Sequence, residues 1–506
     1  MNTQAYSVHR FRKALLQFVG GRIGQLVSRA VLVLALVRIL PVADYGAYML
    51  IVGTAELLLQ VGSCGILPLA QRYLPQMLTT VPIKTLYRFV SFLVVAQIVV
   101  LTIIAAVLGH YWHYLGPVFG LSDEQIARTG LAAWLFLVIP AFRFSAELLE
   151  AMLAQGQTAR AVMVFVRAGA IVVLVAIKKT HVGLTDVLVV DLVSTSACVV
   201  LSWSSIRATM AALHTKDADG KLPIQEMFTF AWHMALVGPM SGTASPGAIR
   251  LALANSLGVA QSGLFAFLQS LERLVSRYLP ATLVRNLIRP ILISRTIGKG
   301  STELLKAGTG LLLKSNMLTV VGGLVVISVC GDQLVLIMSG HKFHGAGLTL
   351  LLMYVNMIAT SQRGVQEMVM QITGHTRALW ITTVVSPIAL FLVWALSRYG
   401  MNVAVLIVCA GSTTANWLAA YVLHARTDWF RVDWRGMAAI FLPGLAASAV
   451  GLLLARWMPH LLAGAIAPLF FIAFLRIGRP FEAREIRTIE RAVGKRAAGV
   501  LRGFAV

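Results

Sequence analysis

The stretch LVVAQIVVLTIIAAVLG (residues 93–109) carries no charge, and runs of this kind return along the whole chain. About 20 consecutive apolar residues, wound as a helix, reach across the hydrocarbon of a bilayer. Inside that hydrocarbon every backbone N–H and C=O must be satisfied by the chain itself, so only helices or a closed barrel can span it. Barrel strands alternate polar and apolar over about ten residues, and these runs are longer and uniformly apolar. Composition agrees: of 506 residues 58% are hydrophobic and only 12% charged, where a soluble chain carries about 25%. The expected fold class is therefore an all-α integral membrane protein with about 14 transmembrane helices.

The spans are predicted near 14–40, 46–70, 85–109, 129–152, 158–178, 184–205, 227–248, 259–284, 307–330, 346–370, 378–397, 402–423, 437–457 and 460–477. The seventh contains VGPMSGTASPGAI, with two prolines and three glycines in mid-run. Proline removes a donor and kinks a helix, so this span is expected to be bent or broken beside protein or a wet cavity. Placing the N-terminus inside puts most Lys and Arg in segments facing the cytoplasm. HYWHYLGPVFGLSDEQ, which lacks both, then lies outside, and RNLIRPILISRTIGKGSTELLK lies inside. The start, HRFRKALLQF, looks like a signal peptide, but the apolar segment after it is long and lacks a small-residue cleavage site, so it is expected to remain as the first span. The tail from Arg476 reads as a basic helix on anionic lipid of the cytoplasmic face, or more simply as a topology anchor.

These readings divide the chain into a cytoplasmic N-terminus (1–13), an N-lobe (14–205), an inter-lobe loop (206–226), a C-lobe (227–423), two further spans (437–477) and a basic tail (478–506). No connector is long enough to fold as a catalytic domain, and no P-loop, nucleophile elbow or glycosidase carboxylate pair is present, so no enzyme is expected. The net charge of +23 does not indicate nucleic acid, because the basic residues flank apolar spans. Cys64, Cys198, Cys330 and Cys409 are scattered and read as small core residues. His110/His113 and His341/His344 lack further ligands for a metal, and TKDADGK lacks the later acidic ligands of a calcium loop.

Two short stretches are written twice. LPVADYGAY (Leu40–Tyr48) returns as LGVAQSGLF (Leu257–Phe265), about 217 residues on, and LAQGQTARA (Leu153–Ala161) returns as QITGHTRA (Gln371–Ala378) at nearly the same offset. Gly156 matches Gly374, Thr158 matches Thr376, and Glu150 stands opposite Glu367. An even number of spans separates each pair, so both copies face the same side. That pattern predicts two parallel six-helix lobes related by an axis along the membrane normal. Within the first copy, Pro41 ends the first helix, Asp44 is placed to cap the next, Gly46 allows close backbone approach, and Tyr48 is placed as an interfacial anchor.

The order and spacing of these motifs resemble the Wzx-type lipid-linked oligosaccharide flippases. These form the polysaccharide-export branch of the multidrug/oligosaccharidyl-lipid/polysaccharide exporter superfamily. The resemblance is carried by VRILPVADYGAYMLIVGTAELLLQVGSCGI, LANSLGVAQSGLFAFLQSLERL, SGHKFHGAGLTLLLMYV (Ser339–Val355) and TGHTRA, and runs from about Leu15 to about His424. The second outer connector departs from the pattern, having Gln261 and Ser262 where an Asp or Tyr is usual. The resemblance implies two lobes around a central cavity, alternating access, and a polyprenyl-diphosphate-linked glycan as cargo. It also implies an inner-membrane location and a pathway building lipopolysaccharide, exopolysaccharide or capsule, with polymerase and chain-length proteins as partners. No cofactor is expected, and coupling to Na⁺ or H⁺ is left open.

A charge at mid-bilayer costs about 3 kcal/mol even on mild scales, so ionisable residues within spans are site candidates. Arg22 and Arg29 lie seven residues apart on one face of the first helix, about 10 Å along its axis, a spacing that suits an elongated phosphate-bearing anion. Snorkelling, or pairing with Glu56, would satisfy them equally. Glu56 and Gln60 share a face of the second helix, and Arg250, Asn255, Glu272, Arg273 and Arg277 cluster in the matching region of the second half. These nine are the candidate substrate-binding residues. Arg143–Glu147 and Arg363–Glu367 are one-turn pairs that read first as structural ion pairs; with Glu150 and Asp191 they are the candidates for ion coupling or gating. Asp186 is expected to complement a helix dipole.

The leading functional expectation is a flippase for an anionic lipid-linked oligosaccharide. A cation-coupled multidrug or lipid-precursor antiporter would favour the carboxylates Glu56, Asp191 and Glu272. A membrane-embedded glycan polymerase or ligase would need a large external loop, which the sequence lacks.

Overall fold

The computed structural model describes residues 30–152, 182–211, 224–280, 302–373, 378–427, 429–482 and 485–486, with 169, 170, 173 and 282 as isolated positions. The regular elements among them are all helices. In chain order they are α1 (Ala30–Ile39), α2 (Val42–Gly62), α3 (Ile66–Thr80), α4 (Ile83–His110), α5 (Trp112–Val118), α6 (Asp123–Arg128), α7 (Ala132–Ala151), α8 (Leu184–Ala211) and α9 (Ile224–Gly242). There follow α10 (Pro246–Leu257), α11 (Val259–Ser276), α12 (Thr302–Met338), α13 (Gly347–Ile372), α14 (Ala378–Thr383), α15 (Val385–Leu396), α16 (Met401–Arg426), α17 (Trp434–Leu454) and α18 (His460–Gly478). Nine helical stretches among the described residues are long and apolar enough to cross a membrane. The fifth predicted span (158–178) lies almost wholly outside the described residues, as do most of the first, the paired turns with Gly156 and Gly374, and the tail beyond Ile486.

By contacts the chain divides between Phe267 and Leu268, inside α11, into two compact units. The first is organised around α2, which packs on α7, α10, α9, α4 and α8. The second predicted span is interrupted. GSCG ends α2, Cys64 (φ 43°) and Gly65 (φ 77°) take left-handed backbone, and α3 continues to Thr80. Glycine is needed at 65 twice over: for that φ, and because an added Cβ would stand 2.2 Å from the Ala231 carbonyl oxygen.

The seventh span is broken, as its prolines and glycines led us to expect. The helix runs through Pro239, stops at Gly242 and restarts at Pro246. Ser245 makes the restart possible: its hydroxyl accepts from the Ala248 N–H at 3.2 Å, and Pro246 occupies the first helical position, where no donor is required. α9 and α10 then run antiparallel to α2. Along the seam Ala231 meets Gly65, Gly238 meets the Gln60 carbonyl, Gly242 meets Leu57, and Gly247 meets Gly53. Small residues let backbones approach in lipid, where dispersion and not water exclusion drives helix association.

The repeated stretches are tighter than connectors. Only Leu40 and Pro41 separate α1 from α2, and only Gly258 (φ 87°) separates α10 from α11, so most of each copy is the opening of a helix. The matched glycines of the two copies pack on each other. A Cβ on Gly46 would lie 2.2 Å from the Val259 carbonyl oxygen; one on Gly263 would lie 2.8 Å from the Gly46 Cα and 3.5 Å from the Val42 carbonyl oxygen. Val42 and Gly46 are the repeat partners of Val259 and Gly263, so the contact is close to reciprocal.

In the second unit α12 carries Met317, Val321, Val325 and Val329 on one face at four-residue spacing. Ile440 and Ala447 of α17, and Ala463, Ala467 and Phe471 of α18, pack against that ladder. On its other side α12 packs on α13, which packs on α16.

Candidate functional site

The first unit buries a polar seam along α2. Tyr45, Tyr48 and Glu56 recur there at helical spacing, and all three are buried. The Tyr48 hydroxyl donates to Oδ2 of Asp191 on α8 at 2.7 Å, and both side chains are shut away from solvent. The interfacial anchor expected at Tyr48 is thus an interior hydrogen-bond donor, because α8 and not lipid covers that face of α2.

Glu56 is paired with Arg143 of α7. Sequence spacing favoured an Arg143–Glu147 pair along α7, but Arg143 reaches across to α2, and Glu147 accepts from the Gln71 amide of α3 at 2.7 Å. The reason is geometric. A one-turn pair on one helix is optional, whereas a carboxylate buried in the neighbouring helix requires a donor. Arg363 and Glu367, in the second unit, form the expected same-helix pair at 2.7 Å.

Arg250 is almost wholly buried within α10. Its guanidinium donates to the Met49 carbonyl at 3.3 Å, and it fits because Gly53 has no side chain: a Cβ there would stand 3.2 Å from Arg250 Cδ. The Ser262 hydroxyl of α11 donates to the Arg250 carbonyl at 3.0 Å, tying the two helix openings together. At the break after α2, the Gln97 amide of α4 donates to the Gly62 carbonyl at 3.0 Å, one of the acceptors the broken helix leaves without a partner.

Other candidates are dispersed. Gln60 is exposed. The Asn255 amide donates to the Val118 carbonyl at 2.6 Å, which fastens the α5 end to α10. Glu150 is half-buried near the end of α7. In the second unit Glu272 and Arg273 are half-buried on α11, with Tyr354 and Cys409 within electrostatic range of Glu272. Arg277 lines a cavity of about 220 Å³ with Ser276, Thr360 and Ser361. Arg22 and Arg29 lie outside the described residues. Asp44 does not cap α2; it is the third residue of the helix and faces Arg128 at 3.8 Å. Asp186 does sit in the first turn of α8, where it accepts from the Gly183 N–H at 3.0 Å.

Sequence reasoning passed over Lys314, whose ammonium is buried between Asp433 at 2.7 Å and Glu485 at 2.9 Å. A lysine inside the apolar run LLLKSNML was the available signal, by the same rule that singled out the intramembrane arginines. Tyr45 and Gln97 carried no such signal, because uncharged polar residues are common in spans.

The seam therefore holds two carboxylates and two guanidiniums inside an apolar bundle, with a donor on each carboxylate.

No protein-family model matches the chain, and no curated protein does. Among solved structures it is similar to the lipid II flippase MurJ in an inward closed conformation, at 12% identity and TM-score 0.65, over 91% of this chain and 97% of that one. It is also similar to a multidrug resistance MATE family transporter of the MOP superfamily in an inward-facing conformation (12% identity, TM-score 0.58, 81% and 98% covered). A third is a MATE protein in the bent conformation (13% identity, TM-score 0.58, 89% and 100% covered). The chain is an all-helical, multi-pass integral membrane protein with the fold of MurJ and the MATE transporters.

Proposed function

We propose that the protein is a flippase for a polyprenyl-diphosphate-linked oligosaccharide. It would move the repeat unit across the bacterial inner membrane by alternating access, with both termini in the cytoplasm. The observation that carries this reading is the likeness to a lipid II flippase over nearly the full length of both chains, in a molecule whose first unit buries an ionic seam. Bringing a hydrated, doubly charged head group through a low-dielectric zone is the energetic problem, and fixed guanidiniums lower it. Arg22 and Arg29 are the residues we assign to the diphosphate, with Arg250 held in reserve beneath Met49.

The Tyr48–Asp191 bond favours a second reading, in which Asp191 takes up H⁺ or Na⁺ when α2 moves away, as in a cation-coupled multidrug antiporter. The two are separated in cells. Arg22→Ala with Arg29→Ala is expected to abolish surface glycan at normal protein level, with lipid-linked repeat units accumulating on the cytoplasmic face. Unchanged surface polymer, together with a new sensitivity to cationic drugs, would favour the antiporter.

A further inference from the structure

The second unit contains a buried ionic cluster that this transport reading does not use. Lys314 is 1% exposed, and three separate parts of the chain meet at it. α12 supplies the lysine, the junction before α17 supplies Asp433, and the segment after α18 supplies Glu485. An ammonium so deeply enclosed is stable only while its anions stay in place, so each of the three parts depends on the other two.

The segment after α18 is shaped for this contact. Arg479 turns the chain through left-handed backbone (φ 42°), and Phe481 and Ile486 are then buried, at 1% and 5% exposure. Glu485 Oε2 accepts from both Lys314 and the Glu482 N–H, the latter at 2.8 Å, which ties the return of the chain to the lysine. Two glycines leave the space. A Cβ on Gly310 would stand 3.0 Å from Glu485 Oε1, and one on Gly436 would stand 2.5 Å from both Lys314 Cε and Asp433 Oδ2. Away from the cluster α17 and α18 meet α12 through apolar packing, which in lipid has no solvent to drive it. At the opposite end of α18, the His460 ring Nδ1 lies 3.2 Å from the Val329 carbonyl of α12.

We propose that Phe481, Glu482, Glu485 and Ile486, after the turn at Arg479, form a strap on α12 with Lys314 as its anchor, which fixes that end of the α17–α18 pair. Apolar contact sets where the helix pair sits, and His460 holds one end of α18. The ionic cluster fixes the other end. Opening the strap would leave the pair in place laterally and let the segment after α18 come away.

Hydrogen–deuterium exchange of the purified full-length protein tests this. In the wild type the amides of Glu485 and Ile486, both bonded to the Glu482 carbonyl, are expected to exchange slowly. Lys314→Met should raise the exchange rate of the peptide covering 479–486 by at least about tenfold, with α2 and α7 peptides unchanged. An unchanged rate at 479–486 in that variant would overturn the proposal. If Lys314→Met does not accumulate as folded protein, Phe481→Ala replaces it, since it leaves the lysine and both carboxylates in place. Faster exchange confined to 479–486 then supports the strap, and wild-type exchange overturns it. Glycan transport need not be measured, so failure here is distinguishable from failure of the flippase reading.

Discussion

Replacing Gly46 by alanine would place a methyl group 2.2 Å from the Val259 carbonyl oxygen. Ordinary contact is about 3.4 Å, so α2 and the opening of α11 must separate by roughly 1 Å, and overpacking of this kind costs about 1–3 kcal/mol. That energy shifts an equilibrium between the closed and parted contact by a factor of roughly 5 to 150. Gly263→Ala attacks the same contact from the other repeat, at 2.8 Å from the Gly46 Cα. Once the helices are parted by one substitution the second methyl finds room, so the double variant should lose less than the sum of the two single losses. Gly364→Ala, with nothing within 4 Å of the added carbon, is the control. Thermal unfolding of the purified protein should show each single variant several degrees below wild type, the double variant short of additive, and the control at or slightly above wild type, since alanine there replaces a mid-helix glycine. Wild-type melting in Gly46→Ala, or strict additivity in the pair, would refute the reciprocal glycine contact.

Glu56→Gln takes away the anion that faces Arg143, and is expected to destabilise by about 1–3 kcal/mol, reduced from a fully buried pair because Arg143 is partly exposed; adding Arg143→Met should recover part of that loss, and a larger loss in the double variant would contradict the pairing. Ser245→Ala removes the cap of α10 and should cost about 1 kcal/mol in thermal unfolding. Burial pushes Asp433 upward, but the Gly436 N–H and the Lys314 ammonium outweigh it and hold the carboxyl below its usual range. Asp433 therefore contributes stability that is present above its ordinary pKa and is lost as pH falls through the lowered value. Glu485 is the reverse. Burial raises it beyond what the Glu482 N–H and Lys314 recover, so its ionisation costs stability as pH rises through the raised value. At neutral pH Asp433→Asn should lower the melting temperature more than Glu485→Gln; the opposite order would show that the two anions have been assigned the wrong weights.

The helical class was legible in the sequence because lipid enforces it: a long uncharged run has one solution in hydrocarbon. The break in the seventh span was legible from Pro239, Pro246 and their neighbouring glycines, although the sequence did not show that the helix runs through Pro239 and fails three residues later. The break at Cys64–Gly65 was missed, since GSCG contains no proline and hydropathy continues across it. Charged candidates were found readily, but not their partners. Arg143 could be seen to need an anion, and choosing Glu56 over Glu147 required knowing that α2 lies against α7. Tyr48 was misplaced for the same reason. A tyrosine near a span end suits the lipid–water boundary, and only the position of Asp191 on α8 makes it interior. The repeat pointed to paired halves, while the contact between its two glycines could be read only from coordinates.

The flippase reading we propose requires that Arg22 and Arg29 carry the diphosphate of a glycan lipid. Reconstitution of the purified protein in liposomes, with a fluorescent polyprenyl-diphosphate oligosaccharide in one leaflet, measures it directly through loss of accessibility to an external quencher. The account predicts flipping by the wild type and none by Arg22→Ala with Arg29→Ala. Equal flipping by both, or a wild type that exchanges cationic dyes and leaves the glycan lipid in place, would contradict it.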